Sequence, residues 1–263
     1  MGIYVETRVR TGLDTLWERT QQFRQHRRWD VRFTDIDPLP TAPGEPRRFR
    51  YATRVLPFLA VSGTGVSAGE KHRPDGTRTS ALRFASPHPL SLIKDGSGYW
   101  RYVPDGDTVR FVTGYDYLTR WGLLGRAVDR AIFRPLIGWG TAWSFDRLRL
   151  WCERGITPER ALRQALAELA ARLAAVALTA ALTGPVTTCA VLALTLTLPP
   201  LPTTPAARRC LRRPPDRTAR TAPRLLDRLE KSHDLDLPAR PRRRVRPAAP
   251  TGSASLLRRA RQR

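Results

Sequence analysis

Apolar and polar positions alternate from the start of the chain. Ile3, Val5, Thr7 and Val9 share one face, and Tyr4, Glu6, Arg8 and Arg10 share the other, the two-residue period of a half-buried strand. Asp14 can cap a short helical piece reaching Phe23, with Leu13, Leu16, Trp17 and Phe23 turned inward. The run RRWDVRFTDID then returns to strand, and prolines and glycines from Pro38 to Pro46 make a loop. From Arg48 the alternation is plain: Phe49, Tyr51, Thr53 and Val55 oppose Arg48, Arg50 and Arg54. Further strands follow over Leu59 to Ser67, around Ser80, Leu82 and Phe84, and through SLIKDGSGYWRYV with Trp100 and Tyr102 on one face. Asp75-Gly76 and Pro104-Asp105-Gly106-Asp107 are turn signals. The last strand sets Phe111, Thr113, Tyr115 and Tyr117 against Arg110 and Asp116.

The period then changes. Trp121 to Trp151 reads as one long helix with apolar bulk at Leu124, Val128, Ile132, Leu136, Trp139, Trp143 and Leu150. Pro135 lacks an amide proton and should kink or split it. Strand, helix, a run of antiparallel strands and a terminal helix make an α+β order. A sheet with one apolar face needs such a helix as a lid. Gly63, Gly65, Gly96 and Gly98 are where the sheet would bend. A curled sheet gripping the helix would leave a hollow between them.

Gly155 closes this helix, and Thr157 with Pro158 begins another. No charged residue occurs from Leu173 to Ala207. Leu173 to Leu198 is long enough to cross a bilayer core, which takes about 20 residues. Gly184-Pro185 interrupts it, so a kinked span, a re-entrant hairpin and a helix docked on the first domain all stay open. Residues 208–263 are rich in arginine, proline and alanine and read as a disordered tail, apart from a short helix around Leu225 to Leu229. Arginine runs stay on the cytoplasmic side of a membrane. With the first domain also cytoplasmic, a hairpin or a surface-lying segment is favoured over one crossing.

Composition adds a partner class. The 263 residues carry a formal charge of +23, nearly all arginine, with lysine only at Lys71, Lys94 and Lys231. That usage suggests a GC-rich bacterial source, and the charge predicts attraction to anionic membrane surfaces. Nucleic acid is the weaker alternative, because no recognition motif accompanies the basic tail. Cys152, Cys189 and Cys210 are too far apart in sequence for a metal knuckle or redox pair and fit a reducing compartment. The N-terminus shows no secretory pattern, and Glu6 stands where myristoylation needs Ser or Thr, so a cytoplasmic domain is expected.

Candidate chemistry is sparse. Gly63-Thr64-Gly65 and Gly69 lack the spacing and context of a phosphate loop. His26, His72, His88 and His233 are scattered, and no GxSxG elbow occurs. Neither a metal nor a cofactor is expected, and no catalytic set can be assigned. Asp35 and Asp116 could act as acids if buried, but solvent or an arginine partner is the simpler reading. Asp129, Asp146 and Glu153 read as helix ion pairs worth tenths of a kcal/mol. What remains is aromatic: Phe49, Tyr51, Phe84, Trp100, Tyr102, Phe111, Tyr115, Trp139 and Trp143 form the expected lining of a ligand cavity.

RWDVRF, GSGYWRY, VTGYDY and FRPLIGWGTAWSFDRLRLW, in this element order, resemble the START-like superfamily. Within it the chain is similar to the bacterial polyketide cyclase/dehydrase and lipid transport group, often labelled SRPBCC. The resemblance covers about residues 1–154. It implies a helix-grip fold with a hydrophobic pocket, in a family that binds lipids, hormones or polyketides. The iron and Rieske ligand patterns of its oxygenases are absent here, and no cyclase residues carry over. The expected division is a helix-grip domain over 1–154, an apolar helical segment over 157–207 and a basic tail over 208–263. The expected function is carriage of a hydrophobic small molecule without catalysis. The rival is a cyclase or dehydratase using Tyr51, Tyr102 or Asp35 as proton donors.

Overall fold

The computed structural model describes residues 2–56, 59–215, 221 and 223. The expected helix at Leu225 to Leu229 and nearly all of the basic tail lie outside the described residues. Strand β1 (Ile3–Val9) is followed by helices α1 (Leu13–Gln21) and α2 (Phe23–Trp29). Six strands come next: β2 (Asp35–Pro38), β3 (Arg48–Leu56), β4 (Leu59–His72), β5 (Arg78–Ala85), β6 (Ile93–Asp105) and β7 (Thr108–Thr119). They form one antiparallel sheet in the order β1-β7-β6-β5-β4-β3-β2. The sheet curves around a long helix, which defines a helix-grip fold.

Two expectations about local structure change. Residues 27–33 are not strand: α2 runs through Arg27–Trp29, and β2 begins at Asp35. The buried Asp30 ends the helix there by drawing the Arg32 side chain and amide back onto its carboxylate. The bulges do not fall on the expected glycines: register shifts occur at Arg54/Leu56, Ser67/Gly69 and Ile93/Asp95, the last beside Gly96. Three of the glycines, Gly63, Gly65 and Gly96, sit under aromatic rings. A Cβ on Gly96 would lie 2.6 Å from the Phe84 ring, and one on Gly63 or Gly65 would strike the Tyr51 or Phe49 ring. Glycine is needed here so that rings can lie flat on the sheet.

The long helix comes in three parts: α3 (Gly122–Val128), a π-helical turn (Asp129–Phe133) and α4 (Arg134–Arg154). Pro135 has no amide proton for the carbonyl four residues back, so the backbone widens just before it. That register change redirects the helix surface. The sheet-facing stripe is Ile137, Thr141, Phe145, Leu148 and Cys152, not the expected one. Leu124, Ile132 and Leu136 face solvent, and Trp139 is 46% exposed. Leu150 is buried, but in a separate cluster with Ile156 and Ala161.

Gly155, at φ +63°, ends α4 in the left-handed region. Thr157 caps α5 (Pro158–Leu182), its side chain accepting the Arg160 amide. After α6 (Pro185–Thr197) the chain returns to the first domain. Ala206, Ala207 and Cys210 are buried there, and Leu211 makes a two-bond bridge to Glu6 on the edge of β1. The basic tail was expected to begin at residue 208, but the folded domain continues at least to Leu211.

Candidate functional site

The expected aromatic set divides in two. Phe49, Trp100, Tyr102 and Phe111 are buried core residues. Trp100 packs near Trp29, Phe111 stacks on Phe145 at 4.5 Å, and Phe49 meets Phe23. Between β7 and α4 the two layers therefore meet solidly, and no hollow separates Phe111 from Phe145. Tyr51, Phe84 and Tyr115 are only partly buried although they lie on the same concave face. Trp143 of α4 is partly buried against the core, and Trp139, one turn earlier and exposed, stacks on it at 6.4 Å.

The partly buried members mark an aromatic trough at the other end of the grip. Its floor is Tyr51 over Gly63 and Phe84 over Gly96. Tyr115 and Tyr117 continue it on β7, with rings 6.4 Å apart. Phe33 meets Tyr51 edge-on from one side, and Phe133 of the π-turn meets Tyr117 from the other. The reason for the opening is architectural: α4 packs chiefly against β1 and leaves the concave side of β4 and β5 partly uncovered.

Two polar clusters flank the trough, and the sequence reading missed both. In the first, Asp30 is fully buried and holds Arg32 through two bonds of 2.9 and 2.6 Å, with His26 Nε2 3.0 Å away. Burial alone would raise the Asp30 carboxyl, but the Arg32 guanidinium outweighs it and holds the acid well below the usual carboxylate range. The same guanidinium lies against the rings of Phe33 and Tyr115. The Tyr115 hydroxyl pairs with Thr141 at 2.9 Å, and burial raises its pKa. In the second cluster, Tyr117 donates to Asp129 at 2.5 Å, and Arg134 forks onto the other carboxylate oxygen. Burial, with Asp129 adding to it, pushes the Tyr117 hydroxyl up.

The acids singled out from sequence sit differently. Asp35 is half-exposed and pairs with Arg27. Asp116 is exposed on the convex side of β7. Asp129 and Asp146 are not surface ion pairs: both are buried. Asp129 opens the π-turn and reaches Tyr117 of β7. Tyr102, the other proposed proton donor, is held at its hydroxyl by Thr20 and Gln21 within the core. Among the described residues no group of three or more His, Cys, Asp or Glu could hold a metal.

A separate cleft of about 800 Å³ lies where the returning chain meets β1 and the end of α4. Arg8, Arg149, Arg154 and Arg209 line it with Pro199, Pro200 and Pro202. Arg149 and Arg209 already serve Asp146, which also accepts the Ala206 amide at 2.8 Å. The cleft is a seam held by ion pairs and lies apart from the aromatic trough.

Comparison with known proteins follows this geometry. No family model matches the chain. An uncharacterized membrane protein of Bacillus subtilis, YndG, is 50% identical over 165 residues, covering 62% of this chain and 62% of that protein. The chain thus matches under two thirds of that relative's length. Among solved structures, TTHA0849 of Thermus thermophilus covers 57% of this chain and 94% of that one at 14% identity and a TM-score of 0.44. A STAR-related lipid transfer protein of Xanthomonas axonopodis matches 56% of this chain and 82% of its own at 17% identity and a TM-score of 0.41. The Zhui aromatase/cyclase of Streptomyces matches 57% and 96% at 17% identity and a TM-score of 0.38.

Proposed function

We propose that the protein is a membrane-attached binding module that holds a hydrophobic, partly aromatic small molecule in the trough between β3–β7 and the π-turn. The observation that carries this is that Tyr51, Phe84, Tyr115 and Tyr117 are only partly buried on a concave face whose other aromatic rings are buried. An apolar ligand laid there would gain about 25 cal/mol per Å² of apolar surface removed from water. The fixed Arg32 guanidinium and the Tyr117–Asp129–Arg134 cluster would orient its polar end. Attachment to a membrane is supported by the similarity to a protein named as a membrane protein and by α5, an exposed apolar helix of 25 residues.

The test begins with the full chain purified in mild detergent and extracted for mass spectrometry. Co-purifying lipid or polyketide, and saturable binding of a fluorescent fatty acid or an aromatic polyketide, is the expected result. Leu82→Trp should fill the trough from its floor and abolish binding while unfolding stays cooperative. No extracted ligand, and titrations indifferent to Leu82→Trp, would refute the reading. For the catalytic alternative, Tyr102 is enclosed and Asp35 is half-exposed beside Arg27, which leaves Tyr51, on the floor of the trough with its hydroxyl toward the Ala85 carbonyl, as the proton donor of the three that a ligand there could meet.

A further inference from the structure

We infer that α5 and α6 form a monotopic hairpin that enters a single leaflet of an anionic phospholipid bilayer and returns, leaving both ends of the chain on one side. The inference rests on the membrane attachment proposed above and adds its depth and topology.

Length is the first argument. α6 has 13 residues, about 20 Å of helix, too short for a hydrocarbon core of about 30 Å. The uncharged part of α5, residues 173–182, rises about 15 Å, which is one leaflet. The second argument is the return path. Arg172 of α5 pairs with Glu168 and donates to the Thr195, Leu198 and Pro199 carbonyls at the end of α6. Glu168 also accepts the Leu201 amide. This staple ties the base of α5 to the end of α6. Just beyond it, buried Asp146 holds Ala206 and Arg209, and Leu211 bridges to β1. A chain so tied is back on the side of β1 by Leu211.

The third argument is chemical. Leu178, Leu182, Val186, Leu194 and Leu196 project into solvent above the staple. The hydroxyls of Thr179, Thr183, Thr188, Thr195 and Thr197 each bond a carbonyl of the preceding turn or cap residue, so they demand little from a hydrocarbon solvent. The break between the helices is partly closed: Thr183 N–H bonds the Thr179 carbonyl, the Gly184 carbonyl accepts the Thr188 N–H, and Pro185 has no N–H, while no side chain caps the first turn of α6. Arg172 lies at the base of this surface, where lipid phosphates would be met, and Arg163 and Arg160 follow about 14 and 18 Å further from the bilayer along α5.

Cys189, exposed on α6, offers a native reporter, whereas Cys152 is half-buried and Cys210 buried. Full-length protein with epitopes at both termini is labelled at Cys189 with a polarity-sensitive fluorophore and added to preformed vesicles of phosphatidylethanolamine and phosphatidylglycerol. The protein should float with the vesicles. Emission should shift to the blue and be quenched by mid-chain nitroxide lipids rather than by aqueous iodide. External protease should remove both epitopes. Leu178→Asp and Val186→Asp, both at exposed positions, should each weaken partitioning about a hundredfold with an unchanged circular dichroism spectrum. Failure to float would overturn the attachment itself. Flotation with one epitope protected would overturn only the hairpin, in favour of a span. A soluble dimer that buries Cys189 and ignores vesicles would replace the bilayer with a second copy of the chain and also refute the inference.

Discussion

Single residues in this protein carry more than their sequence neighbourhoods suggest. Asp146 has the spacing of a surface ion pair but is fully buried, with Arg149, Arg209 and the Ala206 amide as partners. Removing its charge leaves Arg149 with Glu153 and Arg209 with backbone carbonyls only, and breaking a buried pair costs at most about 3–5 kcal/mol. Asp146→Asn should lose that much in urea unfolding, and trypsin should cut at Arg208 or Arg209 in the native state. Asp30 makes a pH prediction. Its folded-state pKa lies below its unfolded value, so its contribution is complete above the ordinary carboxylate range near pH 4 and is lost as pH falls below it. Acid titration of stability should show this loss in the native chain. Asp30→Asn should flatten that part of the curve and lower stability at neutral pH.

At the scale of elements, the glycine-under-ring pairs and the π-turn decide the shape of the trough. Gly96→Ala would put a methyl group against the Phe84 ring and the Asp116 carbonyl, and overpacking of that kind costs about 1–3 kcal/mol. Thermal unfolding should show the loss, and Phe84→Leu should recover part of it, because only the ring contact is relieved. The π-turn brings Asp129 within reach of Tyr117 and Arg134. Tyr117→Phe should cost about 1–3 kcal/mol by leaving a buried carboxylate short of a donor, measured by chemical denaturation. If Tyr117 also faces the ligand, the same change should weaken fatty-acid binding more than it weakens folding.

At the scale of the whole molecule, the strands and helices were largely legible, and what they enclose was not. Seven strands, the flanking helices, the Gly155 stop and the Thr157 cap follow from period and local chemistry in the sequence. The apolar stripe of the long helix did not: Leu136 and Trp139 have the expected spacing but lie outside the face that α4 turns to the sheet through Ile137, Thr141, Phe145 and Leu148. Trp139 and Trp143 were read as one inward face, and only Trp143 is half-buried. The site was half legible. Parity along the strands put Tyr51, Phe84 and Tyr115 on the concave face with Trp100, Tyr102 and Phe111. It could not say which of them α4 would cover.

The amino-acid sequence by itself determined this protein's periodicities: a curled antiparallel sheet, a long helix and a charge-free segment broken at Gly184-Pro185. These depend on neighbours one to four residues apart. Tertiary structure decided the rest: that the core is solid beside Phe145, that Tyr51, Phe84, Tyr115 and Tyr117 are less buried than Trp100, Tyr102 and Phe111 on the same face, and that the chain after α6 returns to Asp146 and β1. Those outcomes depend on contacts between residues far apart in the chain, such as Ala206 with Asp146 and Leu211 with Glu6, for which local patterning carries no signal.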